Sequence, residues 1–370
     1  SGTAYRRGAD FIYGGRISDD PAGTRVLNDL TGTGVTLIGG AGFMGHHLAL
    51  ELKARGAEVE IVDSLQVNNL LHFASLPTTS RHRDVYLRML HERLDLLRQA
   101  DIKLIPVDAR DYHMLTRTMV PHDRRVIIHL AAVAHAGKSN KDPLSTFDHS
   151  LRTLENALDC ARCECKQFIY ISSSMVYGNF LTETVSEDHP LEPIGIYGAL
   201  KLAGEKLVIA YNQVFNIPYT ILRPSALYGP RCVSRRVGQI FVEDAFDNIP
   251  LKIEGDGEEK LDFTFVDDLV DGICLAVMNP SAMNRTFNMT YGESRSIRDL
   301  VSIIQQYFPG VNIEHTTRDA LRPVRGTLDI SAARTRLGYT PAHPIDLGMP
   351  KYIDWYRQFI TKSSSVAPAR

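Results

Sequence analysis

The sequence has 370 residues, 44% of them hydrophobic and 23% charged, with a formal net charge of -2. These values suit a globular protein with room for one large domain or two smaller ones, and they give no basis for a nucleic-acid or acidic-membrane partner. No apolar run reaches the length of a membrane span and no secretory signal is visible. The five cysteines, with Cys160, Cys163 and Cys165 crowded together, lack a second C-x-x-C pair. A cytoplasmic protein with reduced thiols and no metal is therefore expected.

Residues 1–34 carry turn signals (Gly14-Gly15, Asp19-Asp20-Pro21, Thr31-Gly32-Thr33-Gly34) and read as an N-terminal extension outside the domains. Val35 to Ile38 is an apolar run of strand length. Gly39, Gly42 and Gly45 follow, and a leucine-rich helical run follows them. Strand, glycine turn and helix in that order make a phosphate cradle. Gly39 lets the chain reverse, Gly42 lets backbone approach a pyrophosphate, and Gly45 lets the helix pack close to the sheet. Val59 to Asp63 reads as a second strand ending in an acid, about 20 residues on, where a ribose hydroxyl needs an acceptor. The pattern predicts a dinucleotide site.

Next comes a long connection with helical spacing over Asp84–Gln99 (Val85, Leu87, Leu90, Leu94, Leu97), which reads as an inserted helix. Ile102 to Val107 is the third strand. Asp108 at its end either accepts from an adenine amino group or forms a turn. Arg125 to Ala132 is the fourth strand, running into small residues that suit a flat cofactor. Thr146 to Arg162 reads as a helix and Phe168 to Ser174 as the fifth strand. Strands alternating with helices predict a parallel, doubly wound sheet, and its ligand lies beyond the carboxyl ends of the strands. Gly39, Asp63, Asp108, Ala131 and Ser173 all fall at such ends.

Tyr197 and Lys201 open a helical stretch, and a spacing of four puts them on one face. A tyrosine with a free pKa of about 10 is a poor base unless a cation steadies its phenolate. With Ser173 sharing a proton, the trio can deprotonate an alcohol while a nicotinamide takes a hydride.

Taken together these runs resemble the extended short-chain dehydrogenase/reductases, specifically the NAD-dependent sugar-nucleotide epimerase/dehydratase group. The resemblance rests on Gly39-Gly40-Ala41-Gly42-Phe43-Met44-Gly45, Asp63, Asp108-Ala109-Arg110-Asp111 and His129-Leu130-Ala131-Ala132. It continues through Ser172-Ser173-Ser174-Met175-Val176-Tyr177-Gly178, Tyr197-Gly198-Ala199-Leu200-Lys201, Leu222-Arg223-Pro224, Leu227-Tyr228-Gly229-Pro230-Arg231 and Phe265-Val266-Asp267-Asp268-Leu269. It implies a Rossmann-type α/β fold with a smaller substrate lobe, and Ser173, Tyr197 and Lys201 as the catalytic set. NAD, favoured over NADP by Asp63, is held by Gly39, Gly42, Phe43, Met44, Gly45, Asp63, Asp108, Ala109, Leu130, Ala131, Ala132, Tyr197, Lys201 and Pro224. A nucleotide-sugar substrate is to contact Ser173, Ser174 and Tyr197, with Lys138, Arg231, Arg322 and Arg325 as candidates for its phosphates or a carboxylate. The cofactor domain is expected over 35–180 with 196–228 and 262–285 returning to it. The substrate lobe is expected over 181–195, 229–261 and 286–360, and a disordered tail over 361–370. Helices near 146–162 and 197–215 are expected to pair two copies into a homodimer.

Within this resemblance the chemistry is expected to be epimerisation at C4. Dehydratases and decarboxylases of the group carry an acid two residues after the catalytic Ser or Thr, and here that residue is Met175. A 4-ketosugar reductase or, further off, a dehydratase or decarboxylase is the alternative. Three departures bear on substrate: Leu261 where many members have Arg, Ala226 where many have Asn, and no clear Asn in the helix near Ser150. His46-His47 is expected to be exposed or packed, since adjacent helical positions do not face one site. Asp267-Asp268 is expected to cap the following helix.

Overall fold

A computed structural model describes residues 29–119, 125–133, 136–162 and 164–362. The expected extension over 1–28, Cys163 and the tail from 363 lie outside the described residues. Five apolar runs form strands where expected: β1 Gly34–Ile38, β2 Glu58–Val62, β3 Lys103–Ile105, β4 Val126–His129 and β5 Gln167–Ile171. All but β3 are buried on both faces, as a parallel sheet covered by helices requires. Strands Tyr219–Arg223 and Arg285–Asn288 extend the sheet beyond β5. The seven run in the order 285–288, 219–223, β5, β4, β1, β2, β3, all parallel. Val35 pairs with Val59 on one side and Val126 on the other, so the chain reverses its direction of travel at β1. That switch opens a crevice beyond Ile38 and His129, where a ligand fits.

Strand ends differ from the reading above for local reasons. β3 stops at Ile105 because Pro106 has no N–H to donate. β4 stops at His129, and Leu130 and Ala131 instead both donate to the carbonyl of Ile38. The helical run before β5 is Pro143–Phe147, then a π-turn over Asp148–Arg152, then Thr153–Ala161.

Helix α1 (Phe43–Ala54) packs beneath the sheet against helix Val266–Met278. After β2 come the short α2 (Leu70–Ala74) and the inserted α3 (Arg83–Gln99). The buried stripe of α3 is Tyr86, Met89, Leu90, Arg93 and Leu97, so Val85, Leu87 and Leu94 lie to its side.

The second lobe has its own core, in which helices Val237–Phe246, Ile297–Tyr307 and Ile345–Lys362 close around Phe241, Leu261, Leu300 and Tyr352. Two segments expected there belong with the central sheet instead. Arg285–Asn288 pairs with Tyr219–Arg223, and Ala333, Leu337 and Tyr339 pack in the same core as β1. Thr361 and Lys362 end the last helix rather than opening a tail. Asp268 caps no helix: it accepts from the backbone of Ala342 and His343, while Asp267 accepts from Lys351. The pair thus ties the C-terminal segment to the fold.

Candidate active site

Beyond β1 and β4 lies a cleft lined by Gly39, Gly42, Phe43, Met44, Gly45, Asp63, Asp108, Ala109, Leu130, Ala131 and Ala132. Gly39 has φ +81° and a side chain there would sit 2.6 Å from the nitrogen of Ala131, so backbone conformation and space both require glycine. A Cβ at Gly45 would fall 2.4 Å from the carbonyl of Gly40, which is the close helix-to-turn approach expected. Gly42 is the extended N-cap of α1 and makes no side-chain cap, so the first amides of the helix face the cleft.

Asp63 accepts from the amides of Ala41 (2.9 Å) and Leu65 (2.7 Å), which fix its carboxylate at the end of β2, and burial raises its pKa. Asp108 both lines the cleft and forms the turn: it accepts from the Arg110 amide and guanidinium, which hold its carboxyl below the usual range despite partial burial. A glycine cradle over helix amides, a fixed acid on the ribose side and a floor of small residues fit a dinucleotide.

The residues expected to react sit at the carboxyl end of β5. Ser172 and Ser174 donate their amides to Leu222 and Pro224, and Ser173 accepts from the amide of Met175 at 3.2 Å. Pro224, expected at the cofactor, thus anchors the serine turn. Helix Gly195–Phe215 brings Tyr197 and Lys201 alongside. Burial pushes the pKa of the Tyr197 phenol up, while the charge of Arg236 and the nearby Ser173 hydroxyl pull it down. Lys201 is buried, donates to the carbonyl of Ile171 at 2.7 Å and lies 5.0 Å from the Tyr170 ring centroid. Burial, with Arg236 adding to it and Glu205 opposing it, lowers its pKa to about 7. In this state the ammonium is docked on the strand end rather than on the phenol.

Beneath the serine turn, Arg223 forms a two-pronged buried pair with Glu205 at 2.9 and 2.7 Å, and Ser172 donates to the same carboxylate. Arg223 also donates to Tyr177 at 2.9 Å. These bonds fix the floor under Ser173.

The basic candidates separate. Arg325 is largely buried, reaches the sulfur of Met175 at 3.9 Å and pairs with Glu259 at 3.3 Å, while its Nε has no partner among the described residues. Lys138 reaches Asn68, a residue of the cleft, at 2.9 Å. Arg322 pairs with Glu254 on the surface at 2.6 Å. Arg231 is buried with φ +61°, donates to His46 at 3.0 Å and lies 5.8 Å from the Trp355 ring centroid. Arg322 and Arg231 therefore each have a structural partner instead of a free face toward substrate. His46 and His47 are both buried and held neutral by that burial. His46 accepts from Arg231 and His47 bonds to the carbonyl of Pro230, so adjacent histidines do share one loop.

Arg93, Ser234 and Arg236 also line the cleft and were missed. The only signal for Arg236 was the Arg235-Arg236 pair just after the Leu227–Arg231 run. Among the described residues no three His, Cys, Asp or Glu side chains are grouped to hold a metal ion, and no helix is long and apolar enough to cross a membrane.

Residues 35–290 match the NAD dependent epimerase/dehydratase family. The Bacillus subtilis protein named uncharacterized UDP-glucose epimerase YtcB is 32% identical over 62% of this chain and 73% of its own length. UDP-glucuronate 4-epimerase 4 of Arabidopsis thaliana is 26% identical over 91% of this chain and 78% of its own. The crystal structure of UDP-glucuronic acid 4-epimerase from Bacillus cereus, in complex with UDP-glucuronic acid and NAD, superposes with a TM-score of 0.78. It is 27% identical and covers 88% of this chain and 99% of that one.

Proposed function

We infer the reaction from one premise: the chain belongs to the NAD-dependent epimerase/dehydratase family. It is an NAD-dependent sugar-nucleotide epimerase of the extended short-chain dehydrogenase/reductase type, acting at C4 of a nucleotide-diphospho-sugar through a transient 4-keto sugar. Bound NAD supplies the hydride acceptor for C4 and the donor to its other face. The observation that most supports C4 epimerisation is Ser173 at the end of β5 with Tyr197 and Lys201 on the helix beside it, and a thioether, Met175, where elimination would need an acid.

The roles follow from the chemistry of each group. Tyr197 takes the proton of the C4 hydroxyl and returns it, and Ser173 orients that hydroxyl. Lys201 steadies the phenolate once it leaves Ile171. Arg325, whose Nη1 reaches Met175 and whose Nε has no partner among the described residues, is assigned to the substrate's diphosphate or a sugar carboxylate. Lys138 is assigned to the cleft rim beside Asn68.

The assembly we propose is a cytoplasmic homodimer. Leu144, Phe147, Val214 and Phe215 are exposed on and beside the helices expected to pair, which supports a second copy there.

The test is a panel of UDP-, GDP-, CDP- and dTDP-sugars, starting with UDP-glucose and UDP-glucuronate, followed by NMR without added cofactor. Inversion at C4 with no net redox change is expected. Stoichiometric consumption of added NADH would overturn the reading in favour of a ketosugar reductase, and loss of water would overturn it in favour of a dehydratase.

A further inference from the structure

Helix α3 carries an arginine at a core position. Arg93 lies on the buried stripe between Leu90 and Leu97 and is 1% exposed. Its Nη2 donates to the carbonyl of Arg231, but its equally buried Nε and Nη1 have no partner among the described residues. Among the described residues no carboxylate bonds to it. Asp63 is the acid whose charge reaches it, and Arg231 repels it. An unpaired buried guanidinium is costly, and arginine does not shed its proton near neutral pH. The fold therefore holds two donor nitrogens and a positive charge in reserve.

The same side chain lines the cleft together with Met44 and Gly45 at the first turn of α1, with Asp63, and with Ser64 and Asn68 after β2. The histidines of that turn are neutral, and the cleft's two carboxylates, Asp63 and Asp108, would repel an anion. Among the cations lining the cleft, Arg236 is in reach of Tyr197 and Lys201, whereas Arg93 is in reach of Asp63. Arg93 thus serves the adenosine end.

We propose that Arg93 is a cofactor-binding residue, donating from Nε and Nη1 to the diphosphate of NAD on its adenosine side, so that the inserted helix forms one wall of the cofactor site. Its third donor holds the Arg231 carbonyl, joining that wall to the loop that leads into the substrate lobe. The proposal concerns cofactor binding alone and stands whether the net reaction is epimerisation or reduction.

The test uses the full chain stripped of nucleotide, with NAD, ADP-ribose and adenosine as calorimetric probes, in Arg93→Met and Arg93→Lys. Loss of charge-assisted bonds should weaken NAD and ADP-ribose about ten- to a hundredfold in Arg93→Met. Adenosine binding should be unchanged, and the nucleotide-free variant should melt no lower than the parent. Arg93→Lys should fall between the two, because an ammonium keeps the charge but not the fork. Unchanged NAD affinity in Arg93→Met overturns the proposal, as does an equal loss for adenosine and ADP-ribose, which marks a structural role. Should Arg93→Met fail to fold, Arg93→Lys decides: NAD affinity equal to the parent's overturns the proposal, and a loss confined to the diphosphate probes supports it.

Discussion

Replacing Lys201 by methionine should make the nucleotide-free protein more stable while removing its activity. The buried ammonium has one hydrogen bond, to Ile171, and its pKa falls from the ordinary 10.5 to about 7. At about 1.4 kcal/mol per pH unit, that displacement costs the folded state on the order of 4–5 kcal/mol at neutral pH. Methionine fills similar space without a charge. It forfeits the Ile171 bond and leaves that carbonyl unpaired, at about 1–3 kcal/mol. The net expectation is a gain of about 1–4 kcal/mol.

The sign with pH is fixed by proton binding. The unfolded lysine keeps its proton up to 10.5 and the folded one only to about 7, so the unfolded state binds more protons between those values. The parent's stability therefore rises with pH across that window. The penalty is full below about pH 7 and disappears above about 10.5, so the advantage of Lys201→Met should be largest at or below neutral pH and shrink toward pH 10. Urea unfolding of both proteins at pH 7 and pH 10 measures it. A methionine variant less stable than the parent at pH 7, or an advantage that does not change with pH, would refute the reasoning.

Tyr197→Phe keeps the ring and loses only the phenolic oxygen assigned to proton transfer, so NAD binding and melting should be nearly unchanged while turnover falls at least about 10²–10⁴-fold, read by NMR of C4 inversion. Arg223→Met leaves Glu205 buried with Ser172 as its remaining bonded partner and should destabilise the protein by about 3–5 kcal/mol in urea. Adding Glu205→Leu should restore part of that loss, and failure to do so would mean that Arg223 acts through Tyr177 instead.

What could be read from the sequence was chemistry that local spacing fixes. The glycine turn, the acid ending β2 and the Tyr197–Lys201 face depend on strand and helix periods, and each stands at a strand end or helix start as expected. Arginines were not legible, because their roles depend on which distant segment packs over them. Arg322 and Arg325 lie three residues apart, yet one pairs with Glu254 in solvent and the other reaches Met175. Arg93 read as one charge on an amphipathic helix, and only the packing of α3 against the 231–236 loop turns it inward. His46 and His47 are packed, one of the two outcomes expected of them, but the loop from far along the chain that covers both was not visible in the sequence.

Leu261 carries the argument to the substrate. It is buried in the lobe core, and its strand partner is Arg295, which pairs with Asp346. The strand that holds Leu261 therefore offers a hydrocarbon at a position where many members of the family carry arginine. Lys260 beside it turns outward to Glu183 and cannot replace that charge. Arg325 has the missing properties: it is largely enclosed, only partly neutralised by Glu259, and lies against the residue two positions after Ser173. If Arg325 holds the diphosphate as proposed, its charge lies over Met175 rather than on the 260–261 strand, and Arg325→Met should weaken UDP binding while Lys260→Met should not, a difference that calorimetry with UDP reads.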